Sequence, residues 1–290
     1  MKREMNEVGW NEIKMEELKG NTIKFNGVGW YLLIIIITIP FVFPLVWIIS
    51  AAFKTQTQIV ASPPIWFFKP TLNNFRSVFM EQDFARFLWN SSVVAGVSTV
   101  LSLILGLPAA YSISRYKQQI LGVFILVARL MPGISFLIPW YILFSKIRMI
   151  DTFTALIASH MLVALPLIIW IMINYFDGLP RELEESARVD GCSIQAAFFR
   201  IMLPISGPGI ITATTLSFLF SWNNFMFSLV LSTNRTKTLP IAIYNFVSYA
   251  EISWGNVMAA AVVIIAPAII LTMIFQRYVI KGLTVGAVKG

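Results

Sequence analysis

Six long segments of this chain carry almost no charged residues, and they limit the kind of fold that it can adopt. The first segment runs from Val28 to Phe53, and the other five are Phe87–Ser114, Gln118–Phe144, Thr152–Phe176, Ile205–Leu231 and Val257–Gln276. A helix needs about 20 apolar residues to cross the hydrocarbon core of a bilayer. The pattern therefore predicts an all-α integral membrane protein with six transmembrane helices.

The composition of the whole chain agrees with a membrane location. Hydrophobic residues make up 57% of the sequence and charged residues only 12%, which excludes an ordinary soluble domain. The net charge is +8, but the basic residues are spread over the loops and form no single patch, so they do not indicate a nucleic-acid partner. One histidine and one cysteine exclude a multi-histidine metal site and an intramolecular disulfide.

Prolines interrupt all six predicted spans. They are Pro40, Pro44, Pro108, Pro132, Pro139, Pro166, Pro208 and Pro267. Because a carbonyl freed by proline inside a membrane must find a partner within the protein or a cavity, kinked and closely packed helices are expected. Lys and Arg are more frequent in the N-terminal tail, the even-numbered connections and the C-terminal flank than on the opposite side. This asymmetry predicts that both termini are cytoplasmic.

The longest charge-rich interval between two apolar segments runs from Pro180 to Pro204. Pro180 suits a first helical position, and the opening turn carries three carboxylates that favour the positive end of a helix dipole: Glu182, Glu184 and Glu185. Gly191 can adopt a positive φ at the end of this helix, and Ser193 can cap a second helix that ends at Pro204. The interval is predicted to form two short helices joined at a glycine corner.

This interval resembles the EAA cytoplasmic loop of permease subunits in ATP-binding-cassette (ABC) importers. The matching positions are Glu185, Ser186, Ala187, Asp190, Gly191, Ile201, Leu203 and Pro204. Ser186 stands where the family usually has Ala, and Cys192 where it has Ala or Ser. The resemblance implies a coupling helix that docks in a cleft of a separate ATPase subunit. The alternative is an interfacial helix pair without a partner, which the acidic first helix disfavours because membrane-surface helices usually carry basic residues.

Three further segments resemble the permeases of maltose-type carbohydrate importers. They are Pro70–Phe79, Phe87–Gly96 and Phe275–Gly290, the last resembling the end of the shorter permease of the heterodimer. The polar residues 1–28, of mixed charge, are predicted to form a cytoplasmic tail. The resemblance implies a permease domain over residues 29–290, with a core at 86–281 and a coupling loop at 177–204. It also implies a bacterial cytoplasmic membrane location. The implied partners are a second homologous permease, two ATPase subunits, an extracytoplasmic sugar-binding protein and membrane lipid.

Motifs for chemistry are absent from the sequence. No G-x-x-x-x-G-K-[ST] occurs, so the chain cannot form a P-loop, and ATP and Mg²⁺ are expected on the partner ATPase with no cofactor in this chain. Neither H-E-x-x-H nor G-x-S-x-G occurs. The chain is therefore predicted to be a transport subunit and not an enzyme.

Two polar residues stand out inside the predicted spans. Arg129 lies midway along the third span, where burying an arginine costs roughly 2.5–3.5 kcal/mol, so its side chain should face the bundle or a water-filled cavity. The Arg-x-x-Pro pattern here also resembles the family, which implies a structural or gating role. His160 lies in the fourth span, where a hydrogen bond to a neighbouring helix is favoured over substrate contact or proton transfer.

The fifth span contains an aromatic and amide-rich segment that resembles the family's sugar path. Its candidate residues are Trp222, Asn223, Asn224, Phe225 and Phe227. Aromatic rings can stack on the apolar faces of sugars, and amides can bond their hydroxyls. Helical spacing would pair Phe227 with Asn223 or with Asn224 on one face. Packing between helices through the asparagines remains an equally open alternative.

The external interval from Ser232 to Asn256 is predicted to be an amphipathic segment on the outer membrane face, and the resemblance implies that it reaches the binding protein. The function predicted for the chain is ATP-driven sugar or oligosaccharide import by alternating access. The alternatives are an ABC importer for amino acids or polyamines, an ion-coupled secondary transporter or channel, and a structural scaffold. An ion-coupled mechanism is disfavoured because all 14 acidic residues lie in loops or flanks.

Overall fold

The structure, a computed structural model, describes residues 27–81, 83–246 and 252–284. Two predictions concern residues outside these ranges, namely the fold of the tail before residue 27 and the end of the C-terminal signature after residue 284. The chain divides between Ile48 and Ile49 into two units. Its elements are helices, in agreement with the all-α prediction.

The long helices follow the apolar segments. We number them with the helices of the coupling interval as α1 (Gly27–Ala52), α2 (Phe84–Arg115), α3 (Gln119–Leu130), α4 (Leu137–Lys146), α5 (Phe153–Asp177), α6 (Glu182–Val189), α7 (Ile194–Ala197), α8 (Gly207–Trp222), α9 (Met226–Leu231) and α10 (Trp254–Thr284). Shorter helical segments lie at Gln56–Ile59, Asn73–Glu81, Gly133–Phe136, Phe198–Met202, Leu203–Ile205, Leu239–Ala242 and Ile243–Phe246.

Four of these helices are continuous and long and apolar enough to cross a membrane: α1, α2, α5 and α10. The number rises to six if each of two bent helix pairs forms one span. Prolines lie inside all four continuous helices without ending them. The predicted positions of these four spans are confirmed, although α2 and α10 begin three residues earlier than predicted.

The third predicted span is broken. Helix α3 ends at Leu130, and the following helical segment runs from Gly133 to Lys146 at an angle of 88° to it. Pro132 lies in the break, where it lacks an amide hydrogen and disfavours a helical conformation of Met131. The prediction of a single helix over Gln118–Phe144 is therefore wrong, because proline ends the helix here.

The fifth predicted span is also interrupted. Helix α8 ends at Trp222, and α9 begins at Met226. The Asn224 side chain accepts a hydrogen bond from the Phe227 amide at 3.1 Å, which satisfies a backbone donor at the start of α9. The prediction of one helix over Ile205–Leu231 is therefore wrong, and arguments from helical spacing across Asn223–Phe227 do not apply.

Small residues allow the main helices to pack closely. A Cβ atom on Gly106 of α2 would lie 2.9 Å from Ile168 of α5, and one on Gly209 of α8 would lie 2.6 Å from the Tyr175 ring of α5. Lipid is as apolar as the helix surfaces, so association inside a membrane depends on such close contact and on hydrogen bonds. Helices α2, α5 and α8 therefore form the packed centre of the second unit.

Two asparagines from the segments that resemble sugar permeases hold loops in place. The Asn74 amide donates to the carbonyls of Ala52 and Lys54, both at 2.8 Å, at the end of α1. The Asn90 amide donates to the carbonyls of Arg235 and Lys237 at 3.0 and 2.9 Å. These hydrogen bonds give the two segments a structural role, because they fix the position of the neighbouring loops.

Candidate functional site

The coupling interval folds as two short limbs joined at a glycine. Helix α6 begins at Glu182, two residues after the predicted start, and Gly191 has a φ of +90° in the turn that follows it. Ser193 caps α7 by accepting a hydrogen bond from the Ala196 amide at 3.2 Å. The predicted glycine corner and serine cap are thus both present.

The second limb contains a π-helical turn at Phe198–Met202, followed by a short helix, Leu203–Ile205, that ends one residue beyond Pro204. This turn could not be predicted from the sequence, since π turns have no clear sequence signature. They occur mostly as single turns within helices, often near functional sites. The turn buries Phe198, whose ring lies 4.8 Å from Tyr111 of α2 and 6.5 Å from Phe176 of α5. The second limb is therefore packed directly against two long helices.

Arg115, at the end of α2, connects both limbs. Its Nε lies 3.0 Å from the Glu184 carboxylate of α6, and the two side chains are only 7% and 13% exposed. Its Nη2 also lies 3.9 Å from the Met202 sulfur in the second limb. The pairing of Arg115 with Glu184 could not be predicted from the sequence. In the sequence, this pair was indicated only by the acidic residues of the first limb and by a basic residue next to the end of a predicted span.

The residues predicted for coupling have two different environments. Ala187 is buried, and Ile201 and Leu203 are half-buried, so these three hold the loop against the helices. The others are exposed: Glu185, Ser186, Asp190, Gly191 and Pro204. Large apolar side chains are exposed on the same two limbs, namely Leu183, Val189, Ile194 and Phe199. The limbs therefore have one side anchored to the long helices and several exposed apolar side chains.

The residues predicted for the sugar path do not share one surface. Trp222 is 2% exposed, and its Nε1 donates to the Ile264 carbonyl of α10 at 3.0 Å. Phe227 is 1% exposed. Asn223 is exposed, and Asn224 and Phe225 are half-buried, with the Phe225 ring 5.7 Å from Tyr244. Of these five candidates, the accessible ones are thus Asn223, Asn224 and Phe225, in the break between α8 and α9.

Arg129 lines a cavity of about 220 Å³ with residues of the bend after α3 and with Leu162 and Phe220. Its guanidinium lies 5.1 Å from the centre of the Trp170 ring, within the range of a cation–π interaction. The expectation that this side chain faces a cavity is confirmed. Its role in gating remains a prediction.

His160 belongs to a chain of hydrogen bonds that joins three helices. Its Nδ1 lies 2.6 Å from the Ser221 hydroxyl of α8, which lies 3.1 Å from the Ser98 hydroxyl of α2. His160 is 3% exposed, and its ring lies 6.0 Å from Phe227. The expected hydrogen bond to a neighbouring helix is present.

Asp151 holds the loop that follows α9. Its carboxylate accepts hydrogen bonds from backbone amides and hydroxyls of residues 233–236, at distances from 2.7 to 3.2 Å. Burial acts to raise the pKa of Asp151, but the bonds from the Arg235 amide and from Thr233 outweigh it and hold the pKa well below its usual range. This role of Asp151 could not be predicted from the sequence, because its partners lie about 80 positions away.

Comparisons with known proteins agree with this architecture. The profile of the binding-protein-dependent transport system inner membrane component family matches residues 102–285. The sulfoquinovosyl glycerol transport system permease protein SmoH of Agrobacterium fabrum is 34% identical over 86% of this chain and 89% of its own length. The trehalose/maltose transport system permease protein MalG of Thermococcus litoralis is 34% identical over 88% of this chain and 94% of its own.

A solved structure shares the fold. A chain of a bacterial ABC transporter involved in the import of the acidic polysaccharide alginate superposes with a TM-score of 0.73, at 20% identity, over 87% of this chain and 95% of its own. Together with a profile that covers more than half of the sequence, these matches lead to one conclusion. The chain belongs to the binding-protein-dependent transport system inner membrane component family, as a multi-pass permease subunit of an ABC transporter.

Proposed function

We propose that this permease carries a sugar or oligosaccharide into a bacterial cell by alternating access. The observation that carries the proposal is the near full-length similarity to permeases named for sulfoquinovosyl glycerol and for trehalose and maltose. The fold shared with an alginate importer is consistent with it. The bent helices favour a bundle that switches between two packings around a site near its centre.

The coupling loop at 177–204 is the proposed contact with the ATPase. Its exposed apolar side chains include Leu183 and Phe199, which are 40% and 61% exposed. On the anchored side, Arg115 of α2 pairs with Glu184 of the first limb, and Phe198 of the second limb packs on α2 and α5. A force applied to the loop by a nucleotide-driven ATPase would therefore be transmitted to the packed centre. This arrangement requires that the loop and both termini are cytoplasmic.

The complete transporter is proposed to contain a second homologous permease, two ATPase subunits that bind ATP and Mg²⁺, and an extracytoplasmic sugar-binding protein. The break between α8 and α9 is the proposed sugar contact. Asn223 and Phe225 are accessible there, whereas Trp222 and Phe227 support the segment from inside. An amide beside an aromatic ring suits the mixed polar and apolar surface of a sugar.

The test is a reconstituted complex of the full-length permease with its partner subunits in proteoliposomes. ATP hydrolysis and uptake are measured with the binding protein loaded with oligosaccharides, amino acids or polyamines. We expect that only the binding protein loaded with an oligosaccharide stimulates ATP hydrolysis and uptake. Stimulation by an amino acid or polyamine alone would contradict the proposed substrate class. Uptake that follows an imposed ion gradient without ATP would contradict the mechanism.

A further inference from the structure

A cavity of about 550 Å³ lies between the ends of α2, α3 and α5, at the same end of these helices as the coupling loop. Its lining changes from polar to apolar with depth. Lys117 and Arg181 belong to the connections that follow α2 and α5, whereas Leu126 of α3 lies seven residues inside its helix. At 1.5 Å per residue, that places Leu126 about 10 Å below the first residue of α3. The cavity is thus amphipathic along its depth.

The polar end of the cavity carries an excess of positive charge. Lys117 and Arg181 are exposed, and neither takes part in the two ion pairs found among the residues that the structure describes. The one carboxylate in the lining, Asp177, accepts a hydrogen bond from the Ser114 hydroxyl. The α3 helix begins at Gln119 in the same lining, so the positive end of its dipole adds to the two cations. An anionic group is therefore favoured at this position.

The deeper lining suits hydrocarbon. The apolar part of the lining consists of Val123, Leu126, Ile173 and Trp170, with Ile113 near the end of α2. The Asn174 side chain beside Ile173 donates a hydrogen bond to the Trp170 carbonyl at 2.8 Å. Gly122 lies among the apolar residues, and a Cβ atom there would be in van der Waals contact with Ile113 at 3.5 Å and with Ile173 at 3.8 Å, so a larger side chain would extend into the apolar part of the cavity. A small inorganic anion would occupy only the polar end. A molecule with an anionic head and an apolar tail would use both parts.

We propose that this cavity binds an anionic phospholipid, with the phosphate between Lys117 and Arg181 and the start of an acyl chain along Ile173 and Leu126. Basic pockets between membrane helices are a recurrent form of lipid recognition. The site is distinct from the proposed sugar path. The lipid would stabilise the end of α2 that carries Arg115 and the start of the loop that carries Glu184, and so would influence the coupling region.

The test uses the full-length permease in detergent, with native mass spectrometry to measure retention of dioleoyl phosphatidylglycerol against dioleoyl phosphatidylcholine. The wild-type chain is expected to prefer phosphatidylglycerol. Replacement of each cation, in Lys117→Gln and Arg181→Gln, should lower that preference by about fivefold. The matched control is the double variant Lys146→Gln and Arg148→Gln, which removes two exposed cations outside the cavity and should keep the preference. Equal retention of both lipids by the wild-type chain would overturn the proposal.

A second variant tests the apolar part. Gly122→Leu fills the deeper cavity without altering a charge, so it should also reduce retention of phosphatidylglycerol, while circular dichroism verifies that the chain is folded. Inorganic phosphate at equal concentration should not displace the lipid. The lipid assignment would be overturned if phosphate displaced phosphatidylglycerol and the Gly122→Leu variant retained it fully. Such a result would identify a site for a free anion. Neither measurement depends on sugar transport.

Discussion

The Arg115 guanidinium and the Glu184 carboxylate lie 3.0 Å apart and join the end of a long central helix to the first limb of the coupling interval. Both side chains are largely buried, so neither can be fully hydrated when its partner is removed. Loss of one partner from a buried pair costs about 3–5 kcal/mol when burial is complete, and less where water has access. The pair therefore fixes the limb to the helix at the place where motion would have to be transmitted.

The first prediction concerns this pair. Glu184→Gln should lower the ability of the loaded binding protein to stimulate ATP hydrolysis, because α6 would no longer move with α2. A double-mutant cycle of the free energy of unfolding, with Arg115→Met as the second variant, should give a coupling free energy of about 1–3 kcal/mol for the two side chains. The control is Glu182→Gln, which removes an exposed carboxylate from the same helical turn and should change the stability by less than about 1 kcal/mol. Additive effects in the cycle would show that the two residues act independently.

The second prediction concerns Asp151 and pH. Its pKa is lowered in the folded chain, so its contribution to stability is complete above the unfolded value of about 3.9 and is lost as the pH falls towards the folded value. Asp151→Asn should reduce the free energy of unfolding by about 1–3 kcal/mol at neutral pH, because the amide nitrogen cannot accept the bonds from residues 233–236.

Thermal unfolding of the detergent-solubilised chain at several pH values tests this prediction. The difference between wild type and Asp151→Asn should be constant above about pH 5 and should shrink in more acidic solution. Arg86 and Arg235 line the same cavity as Asp151. Asp83→Asn is the control, since the Asp83 side chain is 76% exposed. A difference that grows on acidification would contradict the proposed role.

The third prediction separates two roles of His160. As a hydrogen-bonding residue between helices, it should contribute about 0.6–1.7 kcal/mol to stability, and His160→Gln should keep a large part of the transport rate. Ser221→Ala should produce a similar loss of stability. Uptake by proteoliposomes and thermal unfolding are measured in parallel. Complete loss of transport with unchanged stability in His160→Gln would instead support proton transfer or substrate contact.

The fourth prediction separates the sugar path from its support. Asn223→Ala and Phe225→Ala should change the sugar preference of uptake, because these side chains are accessible at the break between α8 and α9. Trp222→Phe should leave the preference unchanged and lower stability, because it removes the hydrogen bond to Ile264. Competition between two labelled sugars gives the preference without reference to expression level. An unchanged preference in both path variants would favour helix packing as the role of this segment.

The fifth prediction uses two neighbouring glycines of α8. Gly209→Ala should strongly destabilise the packing of α8 on α5, because the new Cβ would lie 2.6 Å from the Tyr175 ring. A clash of this kind typically costs about 1–3 kcal/mol. Gly207→Ala is the matched control, since no heavy atom lies within 4 Å of its Cβ position. The yield of monodisperse protein after mild heating provides the comparison, and equal yields would show that the helices can shift apart at little cost.

Much of the fold could be predicted from the sequence because membrane spans depend on local composition. The limits of α1 and α5, the positive φ of Gly191 and the cap at Ser193 all follow from properties of a few adjacent residues. Hydropathy could not predict the 88° bend after α3, because Pro132 is compatible with either a kink or a complete break. Other prolines, such as Pro166, lie inside continuous helices.

The contacts of the candidate sites were harder to predict because they join distant parts of the chain. In the sequence, helices α3, α4 and α5 separate Arg115 from Glu184. The Asn90 amide donates to carbonyls about 145 positions away. A polar side chain near an apolar segment gives no indication of its partner. Trp222 shows a related difficulty, since an aromatic residue beside two amides is compatible with a ligand contact or with helix packing, and its burial and its hydrogen bond to Ile264 depend on the distant helix α10.

The π turn at Phe198–Met202 makes the number of residues in the second limb as important as their identity. Such a turn contains one residue more than the regular helix that would replace it. If the same residues formed a regular α-helix instead, the chain after the turn would be rotated by about 100° relative to α7. The number of residues in this stretch should therefore be constant among related permeases, even where the residue types differ.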